Sequence, residues 1–263
     1  MTYETIHYEV RDSVAWITLN RPAAFNALSL QSVKDLFHIA NRLGSDKSVR
    51  AAVLTGSGSK AFCAGGDVAA FAADPTTVDV LIKEMTTYLH AAISRFAWMN
   101  MPLVAAVNGV AAGAGLSLVA ACDLAICADH ARFTSAYTQI GLSPDGSGTY
   151  YLTRLLGTRR AMEMFLTNRT LNATEALDWG LVNRVVPADR LMAEVSELAA
   201  QFAQGPTLAY GGVKKLLLSS PTETLESQLE REARQVAELS QTQDSRDAMR
   251  DFVDKRKPSF HGR

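Results

Sequence analysis

The sequence lacks a charge excess, a cysteine framework and a long apolar run, and each absence removes a class of protein. Its 26 Lys and Arg residues nearly balance its 27 Asp and Glu residues, so no basic surplus exists to neutralise a nucleic-acid backbone. No apolar stretch approaches the roughly 20 residues of a membrane span. The three cysteines form no C-x-x-C pair and the histidines have no metal-ligand spacing, which favours reduced thiols and no metal. We therefore expect a cytoplasmic protein without membrane, nucleic-acid or metal partners.

The length and hydrophobic pattern predict an α/β fold. A chain of 263 residues, 48% of them hydrophobic, can form one large domain or one domain with a small appendage. Strands and helices alternate, which indicates a largely parallel sheet with right-handed crossovers. The pattern predicts a hairpin over 7–19, helices over 29–43 and 78–98, and buried strands over 51–56, 102–107 and 124–128.

The C-terminal third reads differently, because it is mostly helical. Asn172 and Glu175 form the pattern of a capping box, which predicts a short helix that ends at Gly180. A strand over 181–186 follows. Pro and Gly residues then separate predicted helices over 191–202, 207–218, 223–239 and 245–255. We place a soft boundary here, with an α/β core over 1–187 and a helical region over 188–263.

One stretch of the chain is almost bare backbone. Residues 104–115 contain three glycines and five alanines, so a ligand here would meet main-chain N–H groups rather than side chains. Such donors at a helix N-terminus suit an oxyanion. The alternative is close helix–strand packing that requires small residues. A second bare stretch lies at 61–67.

Other glycine-rich motifs do not fit this sequence. The dinucleotide-binding pattern needs a third Gly where Leu118 stands, and no Lys-Ser or Lys-Thr pair follows to complete a phosphate-binding loop. The sequence also has no G-x-S-x-G nucleophile elbow.

Five motifs are spread over nearly the whole chain. They are I-T-L-N-R-P at 17–22, A-F-C-A-G-G-D at 61–67, N-G-V-A-A-G-A-G at 108–115, Cys122-Asp123 and F-V-D-K-R at 252–256. Together they resemble the crotonase, or enoyl-CoA hydratase/isomerase, superfamily, closest to its epoxyphenylacetyl-CoA isomerase-like branch. The resemblance implies a spiral of ββα units with a helical C-terminal trimerisation region, and a homotrimer or a hexamer built from two trimers. It implies an acyl-CoA thioester substrate, so CoA enters as part of the substrate and no separate cofactor is expected.

The same resemblance implies roles for individual residues. The backbone N–H groups of Gly66 and Ala114 would hold the thioester oxygen, where preorganised donors stabilise developing negative charge. Phe252 and Lys255 would reach the CoA of a neighbouring subunit, although the alternative for residues 255–257 is a solvated helix face. The path of the CoA would be lined by Ala23, Ala24, Phe25, Ala64, Asp67 and Val68.

The acid and base groups depart from the hydratase pattern. The two glutamates typical of hydratases fall on Ser117 and Tyr137, so neither carboxylate is present, and Tyr137 remains as a polar group of the predicted catalytic set. The resemblance to the isomerase branch puts a catalytic aspartate at Asp145. The alternative for Asp145 is an ordinary helix N-cap.

His90 supports a second enzyme hypothesis. Its position before Asn108-Gly109 is similar to that of the histidine which assists hydrolysis in the 4-chlorobenzoyl-CoA dehalogenase branch, where Asp145 would be the nucleophile. That branch has a tryptophan where this chain has Tyr137. The alternative is a structural or solvent-facing histidine on a helix.

We expect an enoyl-CoA hydratase/isomerase family enzyme that stabilises a thioester enolate and isomerises a double bond or a ring, with Asp145 as acid and base. The alternatives are an enoyl-CoA hydratase and an aryl-CoA dehalogenase or hydrolase. A non-catalytic CoA-binding or RNA-binding member of the family is the alternative from another class, and the near-neutral charge weighs against RNA.

Overall fold

The computed structural model describes residues 3–263, so Met1 and Thr2 of the predicted 1–187 region lie outside the described residues. The chain begins with a hairpin whose turn residues, Asp12 and Ser13, both have left-handed backbones, at φ 51° and 61°. The elements up to Trp98 are β1 (Ile6–Arg11), β2 (Val14–Leu19), α1 (Leu30–Ser45), β3 (Ala51–Gly56), β4 (Ala61–Cys63), α2 (Val68–Ala73) and α3 (Val78–Trp98).

The middle of the chain contains shorter elements. They are β5 (Leu103–Val107), β6 (Val110–Ala112), α4 (Ala114–Ala121), β7 (Leu124–Ala128), β8 (Arg132–Thr134), α5 (Gly148–Leu156), α6 (Thr158–Thr167), β9 (Leu171–Asn172), α7 (Ala173–Trp179) and β10 (Arg184–Val186). A 3-10 helix over Tyr137–Ile140 lies between β8 and α5. Beyond β10 the chain is helical, with α8 (Leu191–Ala203), α9 (Thr207–Ser219), α10 (Leu225–Ser240) and α11 (Gln243–Val253).

The strands form two sheets. The larger sheet has the order β1-β2-β3-β5-β7-β10, and its pairs are parallel except for the β1–β2 hairpin. The smaller sheet has the order β4-β6-β8-β9. Three times the chain passes from a strand of the larger sheet to a strand of the smaller one and then into a helix, as in β3-β4-α2, β5-β6-α4 and β7-β8-α5. The predicted spiral of ββα units is therefore confirmed.

The larger sheet is buried on both faces. Along β2, Ile17 and Leu19 face one hydrophobic cluster, which includes α1, α3 and α4 side chains. Val14 and Trp16 face the other cluster, which contains Leu191, Val195, Ala199 and Ala203 of α8. Alternate residues of a strand point to opposite faces. The first helix of the C-terminal region thus covers one face of the core sheet, and the division at residue 188 stays a prediction.

Most predicted elements are confirmed. The predicted helices over 29–43, 78–98, 191–202 and 207–218 agree with the observed ones within two residues at each end. The capping box of Asn172 and Glu175 is formed, and Gly180 ends that helix in a left-handed conformation. The predicted helices over 223–239 and 245–255 also agree within two residues at each end, since α10 is Leu225–Ser240 and α11 is Gln243–Val253. The strands of the smaller sheet were missed, and residues 181–183 of the predicted strand over 181–186 lie outside β10.

None of the helices in residues 3–263 combines the length and apolar character that a bilayer crossing requires.

An ion pair ties the C-terminal region to the core, and the side chain of its lysine is 9% exposed. Lys214 Nζ of α9 lies 2.8 Å from Asp123 Oδ2, and it also donates to the carbonyl oxygens of Phe96 and Met101 at 3.0 Å. Asp123 Oδ2 in turn accepts from the Leu103 N–H at 2.7 Å. Burial raises the pKa of Asp123 and lowers the pKa of Lys214, because for each group desolvation outweighs the partner's charge. The pair therefore costs desolvation energy, which the hydrogen bonds to both groups offset.

Lys214→Met should lower the free energy of unfolding by about 1 to 3 kcal/mol, because it removes the cation that binds Asp123 and two carbonyl oxygens. The pKa of Asp123 in the folded variant would rise further above its unfolded value. A group of this kind binds its proton more tightly in the folded state, so the deficit should shrink as pH falls from 7 toward 4. Denaturant unfolding at pH 7 and at pH 4 measures this loss of stability. The control Lys83→Met alters an exposed lysine and should change stability by less than about 0.5 kcal/mol. Equal losses in the two variants would contradict the role of the pair.

Candidate active site

The first bare turn follows β4, and hydrogen bonds on both sides of Gly66 determine where its N–H points. The Leu28 N–H donates to the Gly65 carbonyl at 2.7 Å, and the Asp67 N–H donates to the Leu28 carbonyl at 3.0 Å. In this parallel bridge between Leu28 and Gly66, the N–H of the central residue points away from the bridging strand. The Gly66 N–H group therefore has no partner in the bridge, and Gly66 lines a cavity.

The second bare turn lies between β6 and α4. Gly113 adopts a positive φ of 52°, and its N–H donates to the Thr134 carbonyl at 3.2 Å. Ala114 is the first residue of α4, a position whose N–H has no partner within the helix. Ala114 is 4% exposed and lines the same cavity as Gly66.

The two turns touch each other, and Gly65 makes this approach possible. Its φ is 96°, a conformation that L side chains rarely adopt. A Cβ atom on Gly65 would lie 2.9 Å from the Ala112 carbonyl oxygen and 3.3 Å from the Ala114 nitrogen. The predicted pair of oxyanion donors, Gly66 and Ala114, therefore belongs to one continuous surface. Their catalytic role stays a prediction.

The cavity between these turns is largely apolar. It encloses about 380 Å³, within the size range of small-molecule sites. Among the described residues, Asp145 is the one carboxylate in its lining. Its apolar lining includes Leu28, Val33, Val68, Phe71, Ile82, Met85, Leu89, Ile140 and Leu142, and its polar side chains are those of Thr86, Tyr137, Gln139, Ser143 and Asp145.

Asp145 is held by hydroxyl groups. The Tyr137 hydroxyl donates to Asp145 Oδ1 at 2.6 Å, and the Ser117 hydroxyl donates to the Asp145 carbonyl at 3.0 Å. Burial, and then the charge of Asp145, raises the pKa of Tyr137, so its hydroxyl keeps its proton and acts as the donor. Among residues 3–263, no hydrogen bond is seen to Asp145 Oδ2, so this oxygen has no protein donor, and Asp145 lines the cavity.

The N-cap alternative for Asp145 is wrong. Helix α5 begins at Gly148, and the residue at its N-cap is Ser147. Asp145 contributes its carbonyl oxygen to that helix start, since it accepts the Gly148 N–H at 3.0 Å. Its carboxylate points instead to Tyr137.

His90 lies beside Asp145 but is not part of the cavity lining. It is on α3 and exposed, and its Nε2 atom lies 3.1 Å from the Gly146 N–H nitrogen. The histidine is therefore a neighbour of the turn that carries Asp145.

Of the residues predicted to line the CoA path, Ala64 and Val68 line the cavity, and the CoA contact itself stays a prediction. The Ala64 N–H donates to the Phe25 carbonyl at 3.0 Å, which joins Ala64 to the 3-10 helix that contains Ala23 and Ala24. Val68 is 48% exposed and lines the cavity. The carboxylate of Asp67 is already bound: it accepts from Arg21 at 2.8 Å and caps α2.

Phe252 and Lys255 lie apart from this cavity. Phe252 is 82% exposed and lines a separate groove with α9 side chains. Lys255 follows the end of α11 with a φ of 58°, so the helix-face alternative does not apply to it. Their predicted contact with a neighbouring subunit stays a prediction.

Two site residues were missed by the sequence analysis. Arg21 binds Asp67 and also donates to the Ala27 carbonyl at 2.6 Å, which fixes the segment leading into the first bare turn. From the sequence, Ser117 is notable only as a position where typical hydratases have a glutamate. The Asn-Arg-Pro motif was the available signal for Arg21, but its partner is 46 residues away.

Among residues 3–263, no group of three or more His, Cys, Asp or Glu side chains converges to hold a metal ion.

Comparison with known proteins identifies the family. The sequence model for enoyl-CoA hydratase/isomerase matches residues 9–263. The chain is 43% identical over 232 residues to 4-chlorobenzoyl coenzyme A dehalogenase-2 of Arthrobacter sp, covering 88% of this chain and 84% of that protein. It is 34% identical over 261 residues to 1,2-epoxyphenylacetyl-CoA isomerase of Escherichia coli (strain K12), covering 99% of each. The crystal structure of a putative enoyl-CoA hydratase/isomerase from Mycobacterium abscessus superposes with a TM-score of 0.91 at 35% identity, covering 98% of this chain and 100% of that chain. The chain therefore belongs to the enoyl-CoA hydratase/isomerase, or crotonase, family.

Proposed function

We propose that this protein isomerises an acyl-CoA thioester through an enolate, with the Gly66 and Ala114 N–H groups on the thioester oxygen and Asp145 as the acid and base. The observation that carries the proposal is the single carboxylate in an apolar cavity that also contains both bare turns. Apolar surroundings strengthen the electrostatic contribution of backbone donors to a developing oxyanion.

The proposed reaction needs one group that both takes and returns a proton. Asp145 Oδ2 would remove a proton from a carbon next to the double bond or the thioester, and the electron pair would move onto the thioester oxygen as an enolate. The resulting carboxylic acid would return the proton two carbons away, and the double bond would shift. No water is consumed, and the enzyme ends in its starting protonation state. Hydration by two carboxylates lacks its second carboxylate here.

Tyr137 supports this assignment, because it makes the two oxygens of the Asp145 carboxylate different. Its hydroxyl occupies Oδ1, which fixes the orientation of the group and leaves Oδ2 directed to the substrate. A positioned base within hydrogen-bond reach of the proton is what general base catalysis requires.

Aryl-CoA dehalogenation is the second candidate, favoured by the 43% identity to the Arthrobacter dehalogenase. Asp145 Oδ2 would attack the aromatic carbon and displace halide, and water would then hydrolyse the aryl ester. That hydrolysis needs a base at the reacting water. His90 is outside the cavity lining and already accepts a hydrogen bond from Gly146, so the geometry favours isomerisation.

A product-resolved assay over enoyl-CoA, epoxy-CoA and halogenated aryl-CoA esters separates these candidates. Isomerisation predicts products of unchanged mass. Hydration predicts a gain of one water, and dehalogenation predicts halide release. Halide release from aryl esters alone would overturn the proposal, and the absence of turnover on all three, with CoA still bound, would favour a non-catalytic CoA-binding protein.

Asp145→Asn should lower kcat on the order of 100-fold to 10,000-fold, because the amide cannot accept the substrate proton. The affinity for CoA, measured by calorimetry, should be unchanged, since the predicted CoA contacts lie on other elements. The control Asp178→Asn alters an exposed carboxylate on α7 and should keep wild-type turnover. Full turnover in Asp145→Asn would remove this residue from the mechanism.

Tyr137→Phe should lower kcat on the order of 10-fold to 100-fold, because the carboxylate loses the hydrogen bond that orients it. KM should change little, since the ring and its apolar contacts remain. Steady-state kinetics on the substrate found above measure both values. Tyr88→Phe is the matched control, because the Tyr88 ring packs against Phe37 and does not line the cavity. A kcat equal to that of the wild type would contradict the orienting role.

We further propose that the C-terminal helices assemble the protein into a trimer or a hexamer. Supporting this, large apolar side chains that are 54–82% exposed lie along α9, α10 and α11: Leu217, Leu225, Leu229, Val236, Phe252 and Val253. Exposed apolar surface on this scale marks an interaction site.

Sedimentation velocity should give a mass of three or six times the 28.4 kDa chain. The double variant Leu229→Glu and Val236→Glu should dissociate the assembly, because it would bury two charges without partners. Val10→Glu, on the edge strand β1, is the control and should keep the assembly intact. A monomeric wild-type protein would refute the proposed assembly.

A further inference from the structure

The turn that carries Asp145 has an unfavourable backbone conformation. Gly146 and Ser147 both have positive φ angles, at 58° and 65°. The left-handed region is disfavoured for an L residue such as Ser147, so contacts from outside the turn must hold it. Conformations of this kind persist when the surrounding structure over-determines them.

One contact reaches the turn from each of three elements. The Ser117 hydroxyl of α4 binds the Asp145 carbonyl, and the Tyr137 hydroxyl binds the carboxylate. The third contact comes from α3, where His90 Nε2 lies 3.1 Å from the Gly146 nitrogen. Of these three side chains, His90 is the one that forms a hydrogen bond to a left-handed residue of the turn.

The chemistry of this contact fixes the state of the imidazole. A backbone N–H can only donate, so His90 Nε2 must be the acceptor and carries no proton. The neutral ring then has its proton on Nδ1. An Nε2 atom that is occupied by Gly146, on a residue outside the cavity lining, is not available to take a proton from water or substrate in the cavity.

We propose that His90 is a positioning residue, which holds the Asp145 turn in its working conformation by accepting the Gly146 N–H. This inference rests on the proposed role of Asp145. It predicts that His90 affects the rate of the chemical step and not the binding of the acyl-CoA. It also gives this histidine a role different from that of a base which activates water.

Three substitutions of His90 test the inference. In His90→Gln, the side-chain oxygen can replace Nε2 as an acceptor, but an amide cannot act as a base. His90→Gln should keep kcat within about 3-fold of the wild type, whereas His90→Leu and His90→Lys, which have no acceptor, should lose about 10-fold or more. KM should stay within about 2-fold in all three variants. A loss in His90→Gln as large as in His90→Leu would overturn the inference in favour of a base, and full turnover in His90→Leu would overturn it altogether.

A spectroscopic measurement tests the contact without relying on turnover. In protein labelled with ¹⁵N at glycine and histidine, the hydrogen bond predicts a scalar coupling between the Gly146 amide nitrogen and His90 Nε2. The coupling should be absent in His90→Leu. A proton found on Nε2 of wild-type His90 would overturn the inference, and the measurement stands even if a variant folds poorly.

The two proposals fail in different ways. Full turnover in Asp145→Asn would refute the proposed function, and the coupling would then decide the His90 contact alone. An inactive Asp145→Asn together with a fully active His90→Leu would leave the proposed function standing and refute only the positioning role.

Discussion

The close approach of two glycine-containing turns is the constraint on which the rest of the site depends. Gly65 leaves no room for a Cβ against Ala112 and Ala114, and this contact brings the ends of β4 and β6 together. The repeated ββα connection makes the approach possible, because it places successive strands of the smaller sheet side by side. Backbone N–H groups at strand ends and helix starts have no partner within their own element. The fold therefore produces unpaired donors at the cavity without using any side chain.

The proposed acid and base group, Asp145, is supplied separately, from the loop before α5. Ser117 and Tyr137 occupy the positions at which the resemblance puts two glutamates, and in this chain both are hydroxyl residues that hold Asp145. The cavity thus keeps one negative charge instead of two, and it avoids the repulsion between neighbouring carboxylates. The hydroxyls at these two positions support a carboxylate that comes from the loop before α5.

The sequence predicts most of the fold but less of the site, for physical reasons that individual residues illustrate. Long amphipathic helices and the cap formed by Asn172 and Glu175 are local features, so α1, α3, α7 and α8 could be predicted closely. Strands β6 and β8 have three residues each, too few to show an alternating pattern. Asp145 has the sequence of an N-cap, but two left-handed residues delay the helix until Gly148. The Arg21–Asp67 pair joins residues that no local pattern connects.

The backbone N–H donors and the proposed base come from different parts of the chain. This separation also explains why overall sequence identity is a poor guide to the reaction. The chain is 43% identical to a dehalogenase and 34% identical to an isomerase, yet the two names describe different chemistry at a CoA ester. Backbone donors are insensitive to most substitutions, so the oxyanion site persists while the groups facing it change. The proposed reaction then depends on two side chains. For Asp145 it matters which carboxylate oxygen lacks a hydrogen bond, and for His90 it matters whether the ring can reach water. Those two features are set by hydrogen bonds from Tyr137 and Gly146, which overall identity does not report.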